Sequence, residues 1–238
     1  MNNKPIIFWI GYDPKEIDAW VVASYSLRTR TNTPYQTRAL TLEAARNKGY
    51  NRPFEKINGQ LWDKISDAPM STEFSITRFM LPFMQKDGWA IFMDCDMLIL
   101  RNINFLVQAL DERYALMCVK HDYTPKKLIK MDNQIQTKYS RKNWSSVMAL
   151  NLDHPSNKKL TLDLINTAKG RDLHNFCWLQ DDEIGELDKS WNWLEGEENQ
   201  ADEPSIVHFT NGLPSQIGDC EYADEWWAML NEYFQCQC

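Results

Sequence analysis

Two carboxylates separated by one residue, Asp94-Cys95-Asp96, directly follow an apolar segment, Trp89 to Met93. In an extended chain, residues i and i+2 point to the same side, so both carboxylates converge on one small volume. Two anions at that distance repel unless a cation lies between them, and oxygen ligands favour Mg²⁺ or Mn²⁺. The motif therefore predicts a divalent metal site with open positions for a diphosphate. The plainer alternative is that Asp94 caps a turn and Asp96 is solvated.

Four other polar residues lie where an interior or a turn is expected. Arg78 lies on an apolar helix face, where it either extends its head to water or contacts a phosphate or ribose. His208 ends a short strand, Ser205 to His208, and is either a buried structural histidine or a third metal ligand. Asp181 and Asp182 either open a helix or face an acceptor hydroxyl and take its proton.

The surrounding elements predict an α/β fold with a sheet at its centre. Pro5 to Ile10 is continuously apolar and predicts a buried strand, which ends at Gly11. Asp13-Pro14-Lys15-Glu16 has the pattern of a helix start, with Asp13 as N-cap and Pro14 as the first helical residue. A further helix is predicted from Ser71, ended or bent at Pro82. The carboxyl ends of the strands are where open α/β sheets bind ligands.

Composition excludes several classes of protein. The chain has 238 residues, 43% hydrophobic residues and a formal net charge of -7, which is typical of a globular protein and argues against nucleic acid as partner. Its longest apolar stretches are far below the roughly 20 residues of a membrane span. No secretion signal is recognised, so we expect a cytoplasmic protein, of the producing or a virus-infected cell, with reduced cysteines. Cys118 and Cys177 are predicted to lie in the core.

The segment Phe92-Met93-Asp94-Cys95-Asp96-Met97 resembles the Y-L-D-x-D-x-x-V block of GT-A fold glycosyltransferases. The order of the surrounding blocks resembles glycosyltransferase family 8, the glycogenin-like enzymes. The other blocks that carry this resemblance, in chain order, are Ile10-Gly11-Tyr12-Asp13, Ser75-Ile76-Thr77-Arg78-Phe79, Trp144-Ser145-Ser146-Val147-Met148-Ala149-Leu150-Asn151, Asp181-Asp182-Glu183 with Trp191-Asn192, and Val207-His208-Phe209-Thr210-Asn211-Gly212.

The resemblance implies a single GT-A (Rossmann-like) domain over residues 1–238, with a mixed central sheet flanked by helices. The nucleotide-binding part would be about 1–120 and the acceptor-side part about 121–238. It implies transfer of a sugar from a nucleotide-diphosphate sugar, a UDP-sugar above all, to a hydroxyl of a glycan or glycoprotein. In this interpretation three residues hold Mn²⁺ (or Mg²⁺), a second set binds the donor, and two acids act in catalysis. The metal ligands are Asp94, Asp96 and His208, the donor-binding residues Tyr12, Asp13, Arg78, Asp94 and Gly212, and the catalytic residues Asp181 and Asp182.

The sequence departs from the family pattern after Gly212, where Leu213-Pro214-Ser215-Gln216 contains no lysine for the diphosphate. Lys120, Lys126 and Lys142 remain candidates for that contact, and both retaining and inverting chemistry stay open. Two other functions also stay open. One is a metal-dependent nucleotide-sugar hydrolase, and the other is a non-catalytic nucleotide-sugar-binding protein.

Overall fold

The structure is a computed structural model and describes residues 5–33, 35–121, 141–197 and 201–236. Its strands are β1 (Ile6–Gly11), β2 (Gln36–Leu40), β3 (Phe54–Ile57), β4 (Gln60–Asp63), β5 (Ala68–Met70), β6 (Trp89–Met93), β7 (Met97–Ile99), β8 (Leu116–Cys118), β9 (Val147–Asn151), β10 (Ile184–Glu186), β11 (Trp193–Leu194) and β12 (Ile206–His208). Its α-helices are α1 (Ile17–Thr29), α2 (Leu42–Asn47), α3 (Phe74–Thr77), α4 (Leu81–Met84), α5 (Asn104–Gln108), α6 (Leu162–Thr167), α7 (Gly170–His174), α8 (Pro214–Ile217) and α9 (Ala223–Gln235). Short 3₁₀ segments lie at Arg78–Met80, Pro155–Lys159, Asp181–Glu183 and Lys189–Asn192.

The largest sheet has six strands in the order β10-β8-β9-β6-β1-β2. Strand β1 pairs in parallel with β2 and β6, β8 pairs in parallel with β10, and β9 runs antiparallel to both β6 and β8. The carboxyl ends of β1, β2, β6, β8 and β10 therefore meet at one edge of the sheet. The predicted mixed sheet flanked by helices is confirmed.

Side chains of the central strands alternate between two buried clusters, as the two-residue period of a strand requires. On β6, Ala90 and Phe92 pack in one cluster, while Ile91 and Met93 pack in the other. The first cluster is covered by α1, α3, α4, α6, α7 and α9. The second is covered by α5 and by strands of a smaller sheet. Both faces being buried explains why these strands are apolar throughout.

Two three-stranded sheets flank the large one. In the first, β7 pairs antiparallel with β12, which pairs in parallel with β11. In the second, β3, β4 and β5 form an antiparallel meander. A buried ion pair between Arg52 and Asp63 joins this meander to α6, because the Arg52 guanidinium also donates to the carbonyls of Ile165 and Ala168.

Three local predictions differ from the structure. Helix α1 begins at Ile17 rather than at Pro14, because the carboxylate of Asp13 closes a turn on the Lys15 amide instead of capping a helix. The helix predicted from Ser71 is two short α-helices joined by the 3₁₀ segment, with Pro82 in the first turn of α4. The prediction that Cys177 lies in the core was wrong. It is exposed, because its neighbours Phe176 and Trp178 take the interior positions of this turn.

The cysteines at positions 95, 118, 177, 220 and 236 are free thiols. The described helices include none that is both long and apolar enough to cross a membrane.

Candidate functional site

The Asp94-Cys95-Asp96 motif connects two sheets at the edge where the parallel strands end. Strand β6 ends at Met93 and β7 begins at Met97. The Asp94 amide donates to the carbonyl of Ser146 at 3.0 Å, and the Asp96 carbonyl accepts from the Phe209 amide at 3.0 Å. The backbone of the motif is thus held by the start of β9 on one side and by the end of β12 on the other.

Three ligand atoms converge at this motif. One atom each from Asp94, Asp96 and His208 lies within 4.8 Å of the other two. Oδ1 of each aspartate is buried and makes no hydrogen bond of good geometry to a described residue. Two buried carboxylate oxygens beside an imidazole nitrogen fit a hard divalent cation such as Mn²⁺ or Mg²⁺. The residues brought together here are the three that the sequence predicted as metal ligands.

Burial and the mutual repulsion of the two carboxylates set the electrostatics of the cluster. Burial raises the pKa of Asp94, despite the Arg78 guanidinium, whose Nη2 lies 2.9 Å from Asp94 Oδ1. Burial alone would lower the pKa of His208, but the Asp96 carboxylate outweighs it and raises that pKa. His208 Nε2 lies 3.4 Å from Asp96 Oδ1. A divalent cation would relieve the repulsion between the two carboxylates.

The tautomer of His208 is set by Asn192, which is fully buried. Asn192 Nδ2 donates to the carbonyl of Asn143 at 2.9 Å, so its Oδ1 faces His208 Nδ1, also at 2.9 Å. Because an amide oxygen only accepts, Nδ1 of His208 carries the proton and donates it. Nε2 is then the nitrogen that faces Asp96, and in the neutral ring its lone pair is available to a metal, as a metal-binding histidine requires.

Arg78 lies behind Asp94 and is buried. Its Nε donates to the carbonyl of Ser75 at 3.1 Å and its Nη1 to the carbonyl of Ser145 at 2.9 Å. The Ser145 hydroxyl lies 2.7 Å from Nδ1 of His174, and burial lowers the pKa of this histidine to about 3. His174 is therefore neutral, and the network fixes Arg78 against Asp94. Contact between Arg78 and a nucleotide stays a prediction.

A third carboxylate, Glu16, lies close to the motif from the N-terminus of α1. The buried Cys95 thiol donates to Glu16 Oε2 at 3.2 Å, and burial raises the pKa of this thiol. Burial first, and then the charge of Asp96, raise the pKa of Glu16 to about 7. The residue between the two aspartates thus anchors the motif to α1.

The other predicted donor-binding residues lie on loops around this edge. Asp13 is buried, and its two oxygens accept from the amides of Lys15 and Glu73, both at 2.9 Å. Tyr12 is half-buried, with its ring packed edge-on against Trp20 at 6.0 Å between centroids. Gly212 follows β12 with φ of 131°, a conformation that favours glycine. Their contact with a nucleotide stays a prediction.

The two predicted catalytic acids lie on the 3₁₀ segment before β10. Both are exposed, and neither belongs to the metal-ligand cluster found among the described residues. Asp181 forms an ion pair with Arg141. Asp181 and Arg141 line a cavity of about 280 Å³, together with Trp144, Ile184 and Lys120, whose Nζ donates to the Ile184 carbonyl at 2.7 Å. The catalytic role of Asp181 and Asp182 stays a prediction.

The lysine candidates for a diphosphate contact are placed differently. Lys120 comes shortly after β8, whose carboxyl end lies at the ligand-binding edge, while Lys142 is half-buried and its pKa is lowered by burial. Lys126 lies outside the described residues.

Sequence reasoning assigned no role in the site to Asn192, Ser145 or His174. Asn192 and Ser145 did stand in the blocks that carry the family resemblance, which was the available signal. His174 lies outside those blocks, and its contact with Ser145 joins residues far apart in the chain, so no local pattern marks it.

Solved glycosyltransferase structures are similar to this chain in fold. The bifunctional glycosyltransferase WbbM superposes with a TM-score of 0.63 at 10% identity, covering 98% of this chain and 52% of that one. GlyE of Streptococcus pneumoniae TIGR4 superposes with a TM-score of 0.60 at 14% identity, and the match covers 99% of this chain and 64% of GlyE. An active-site mutant of LgtC gives 0.60 at 11% identity, covering 95% of both chains. LgtC is described as a galactosyltransferase and has been crystallised with donor and acceptor sugar analogues.

These likenesses confirm the GT-A glycosyltransferase fold that the sequence blocks predicted, while family 8 membership stays a prediction. This chain spans about half of WbbM and just under two thirds of GlyE. No protein-family model matches the chain. Protein CDI of Arabidopsis thaliana is 42% identical over 240 residues, which cover 98% of this chain and 88% of that protein. At that identity and coverage, the chain belongs to the same protein family as Protein CDI.

Proposed function

We propose that the protein is a metal-dependent glycosyltransferase that moves a sugar from a UDP-sugar to a hydroxyl of a glycan or glycoprotein. One observation carries this proposal: Asp94, Asp96 and His208 converge at the carboxyl edge of the sheet in a GT-A fold. That edge is where open α/β sheets take their ligands. The sugar-binding described for LgtC supports the substrate class.

The residues of the chain would divide the work as follows. The cluster would hold Mn²⁺ or Mg²⁺, which when bound supplies Lewis-acid stabilisation of the departing diphosphate. Asn192 holds the His208 imidazole in its ligating tautomer, and Arg78 holds Asp94 in place. Tyr12, Asp13, Arg78 and Gly212 are proposed to seat the nucleotide.

Asp181 or Asp182 is proposed to orient the acceptor hydroxyl or take its proton. Asp181 lines a cavity beside Lys120 and Arg141, which is open enough to admit part of a substrate. We further propose that residues 1–238 act as one domain, with the nucleotide part at about 1–120, in the cytoplasm and without nucleic acid as a partner.

The test is release of free nucleoside diphosphate from a panel of nucleotide-sugars, with Mn²⁺, with Mg²⁺ and with EDTA. We expect cation-dependent release that is lost in Asp96→Ala and retained in Asp202→Ala, a matched change at an exposed aspartate. Full activity of Asp96→Ala would refute the metal assignment.

The same assay separates the other two functions. An added glycan acceptor should suppress free sugar in favour of a larger product, whereas a hydrolase would release free sugar regardless. UDP binding that survives EDTA, with no turnover of any donor, would identify a non-catalytic binding protein instead.

A further inference from the structure

A groove of about 650 Å³ runs along one side of α1, beside the start of β2 and the end of α9. Its lining residues on α1 include Trp20, Ser24 and Arg28, which lie on one face because they are four residues apart. From Trp20 to Arg28 this face spans about 12 Å. The groove is separate from the metal cluster, and none of the proposed catalytic or donor-binding residues lines it.

Aromatic rings from three elements converge on this groove: Trp20, Tyr25, Tyr35 and Tyr233. Trp20, Tyr35 and Tyr233 are half-buried, so each keeps part of its ring surface open. Tyr25 is buried beneath them and holds Tyr233 in a T-shaped contact, with 5.6 Å between centroids. Three partly open rings held by the fold form a surface on which flat, weakly polar faces can stack.

Apart from Leu27, the remaining lining is polar but almost uncharged. It includes the hydroxyls of Ser24, Thr31 and Thr37. The Ser24 hydroxyl donates to the carbonyl of Val21, so its oxygen can accept from a ligand, while the Thr31 oxygen already accepts from the Thr33 amide and keeps one lone pair. Among the described lining residues, one charge is present, that of Arg28, whose guanidinium lies over the Tyr25 ring at 5.1 Å.

We propose that this groove binds a neutral glycan chain, as the part of the acceptor that is remote from the reacting hydroxyl. The inference rests on the proposed function. A sugar ring presents a C–H face that stacks on aromatic rings and a rim of hydroxyls that donate to oxygens, and the groove offers both. A lipid would leave the polar rim unpaired, and a polyanion would require more cations than Arg28.

The position of the groove fits this assignment. Trp20 lies at the end of the groove nearest the start of α1. It packs against Tyr12, which directly follows β1 at the edge where the metal cluster lies. A chain that stacks on Trp20 therefore has its end close to that edge, while the rest extends along α1. An acceptor longer than one sugar would gain affinity there without occupying the reaction site.

The experiment measures binding of maltohexaose, cellohexaose, xylohexaose and mannohexaose to the full chain by calorimetry, with UDP and Mn²⁺ binding measured on the same samples. We expect at least one hexasaccharide to bind more tightly than its disaccharide. Tyr233→Ala and Tyr35→Ala should each weaken that binding about tenfold, since each removes one stacking surface. Trp227→Ala is the matched control, because this partly exposed aromatic residue lies on the same helix as Tyr233 but outside the groove.

A second variant, Ser24→Phe, keeps all the rings but fills the groove, and it should also abolish hexasaccharide binding. Thermal unfolding of every variant identifies loss of fold. If no hexasaccharide binds, or if folded Tyr233→Ala and Ser24→Phe bind as the unmodified chain does, the proposal is overturned. If hexasaccharides bind at the groove but no nucleotide-sugar is turned over, the groove assignment stands and the proposed function fails.

Discussion

The buried ion pair of Arg52 and Asp63 gives a sharp test of how the meander is held against α6. The Arg52 side chain is fully buried and Asp63 is 2% exposed. Nε and Nη2 of Arg52 donate to the two Asp63 oxygens at 2.7 and 2.6 Å. Its nitrogens also donate to the carbonyls of Ile165 and Ala168 at 3.0 and 2.6 Å, and to Ser66 Oγ at 3.0 Å. Arg52→Leu would leave one carboxylate and two carbonyls buried without these donors.

Breaking one side of such a pair costs about 3–5 kcal/mol, because the partner stays buried and uncompensated. We therefore expect Arg52→Leu to lower the free energy of unfolding by that amount at pH 7, measured by urea unfolding followed through tryptophan fluorescence. The matched control is Lys64→Leu, which removes an exposed ion pair with Glu55 whose members are 50% and 46% exposed. That change should cost less than about 1 kcal/mol.

The pH dependence gives an independent check. Burial would raise the pKa of Asp63, but the hydrogen bonds from Arg52 and Ser66 outweigh it and lower that pKa. The pair thus contributes stability above the ordinary aspartate pKa, and this stability is lost as the pH falls through the lowered value. The gap between the unmodified chain and Arg52→Leu should therefore shrink on acidification. A loss below about 1 kcal/mol, or a loss equal to that of Lys64→Leu, would refute the reasoning.

Three further predictions concern the site. Asn192→Leu should weaken Mn²⁺ binding about 10- to 100-fold, measured by calorimetry on folded protein, since the His208 imidazole loses the partner that fixes its tautomer; unchanged affinity would count against the tautomer argument. Burial raises the pKa of Glu16 to about 7, so the protonated carboxyl contributes stability to the folded state. This contribution is complete below pH 4.5 and is lost as the pH rises through 7. Glu16→Gln should match the unmodified chain at pH 4 and exceed it at pH 8.5 by at most about 3 kcal/mol in urea unfolding with EDTA; equal stability at both pH values would contradict this. Gly212→Ala should cost about 1–3 kcal/mol, because φ is 131° and the new Cβ would lie 2.8 Å from Ile217 Cγ2; a neutral effect on the unfolding temperature would show that the loop rearranges freely.

The sequence was sufficient to predict the central strands and the metal cluster. The segments at residues 89–93 and 147–151 are continuously apolar, a pattern that marks a strand buried on both faces. Asp94 and Asp96 could be paired because their spacing is local. The family resemblance added His208 to them as a third metal ligand. In the structure His208 lies beside the motif because it pairs with Met97 across β12 and β7.

What the sequence could not predict depends on contacts between distant segments. Residues 31–67 had no assigned elements, although they contain β2, α2, β3 and β4, because short half-exposed strands such as β3 lack a clear period. The sequence marked Glu16 as part of a helix start. Its raised pKa arises from burial and from the charge of Asp96, 80 positions away in the chain, and neither is visible in the local sequence. The sequence predicted Asp181 as a site residue. Its ion pair with Arg141 could not be predicted, because it depends on how two distant segments pack together.

The metal cluster is drawn from both ends of a long stretch of chain. Asp96 leads into β7, while His208 ends β12, and the segment between them contains four strands of the structure besides these two. A cation bound by all three residues would act as a reversible crosslink that closes a loop of about 110 residues. Its stabilising effect would grow with the logarithm of the free ion concentration. A bound divalent cation would then hold together two segments, β7 and β12, that lie far apart in the chain.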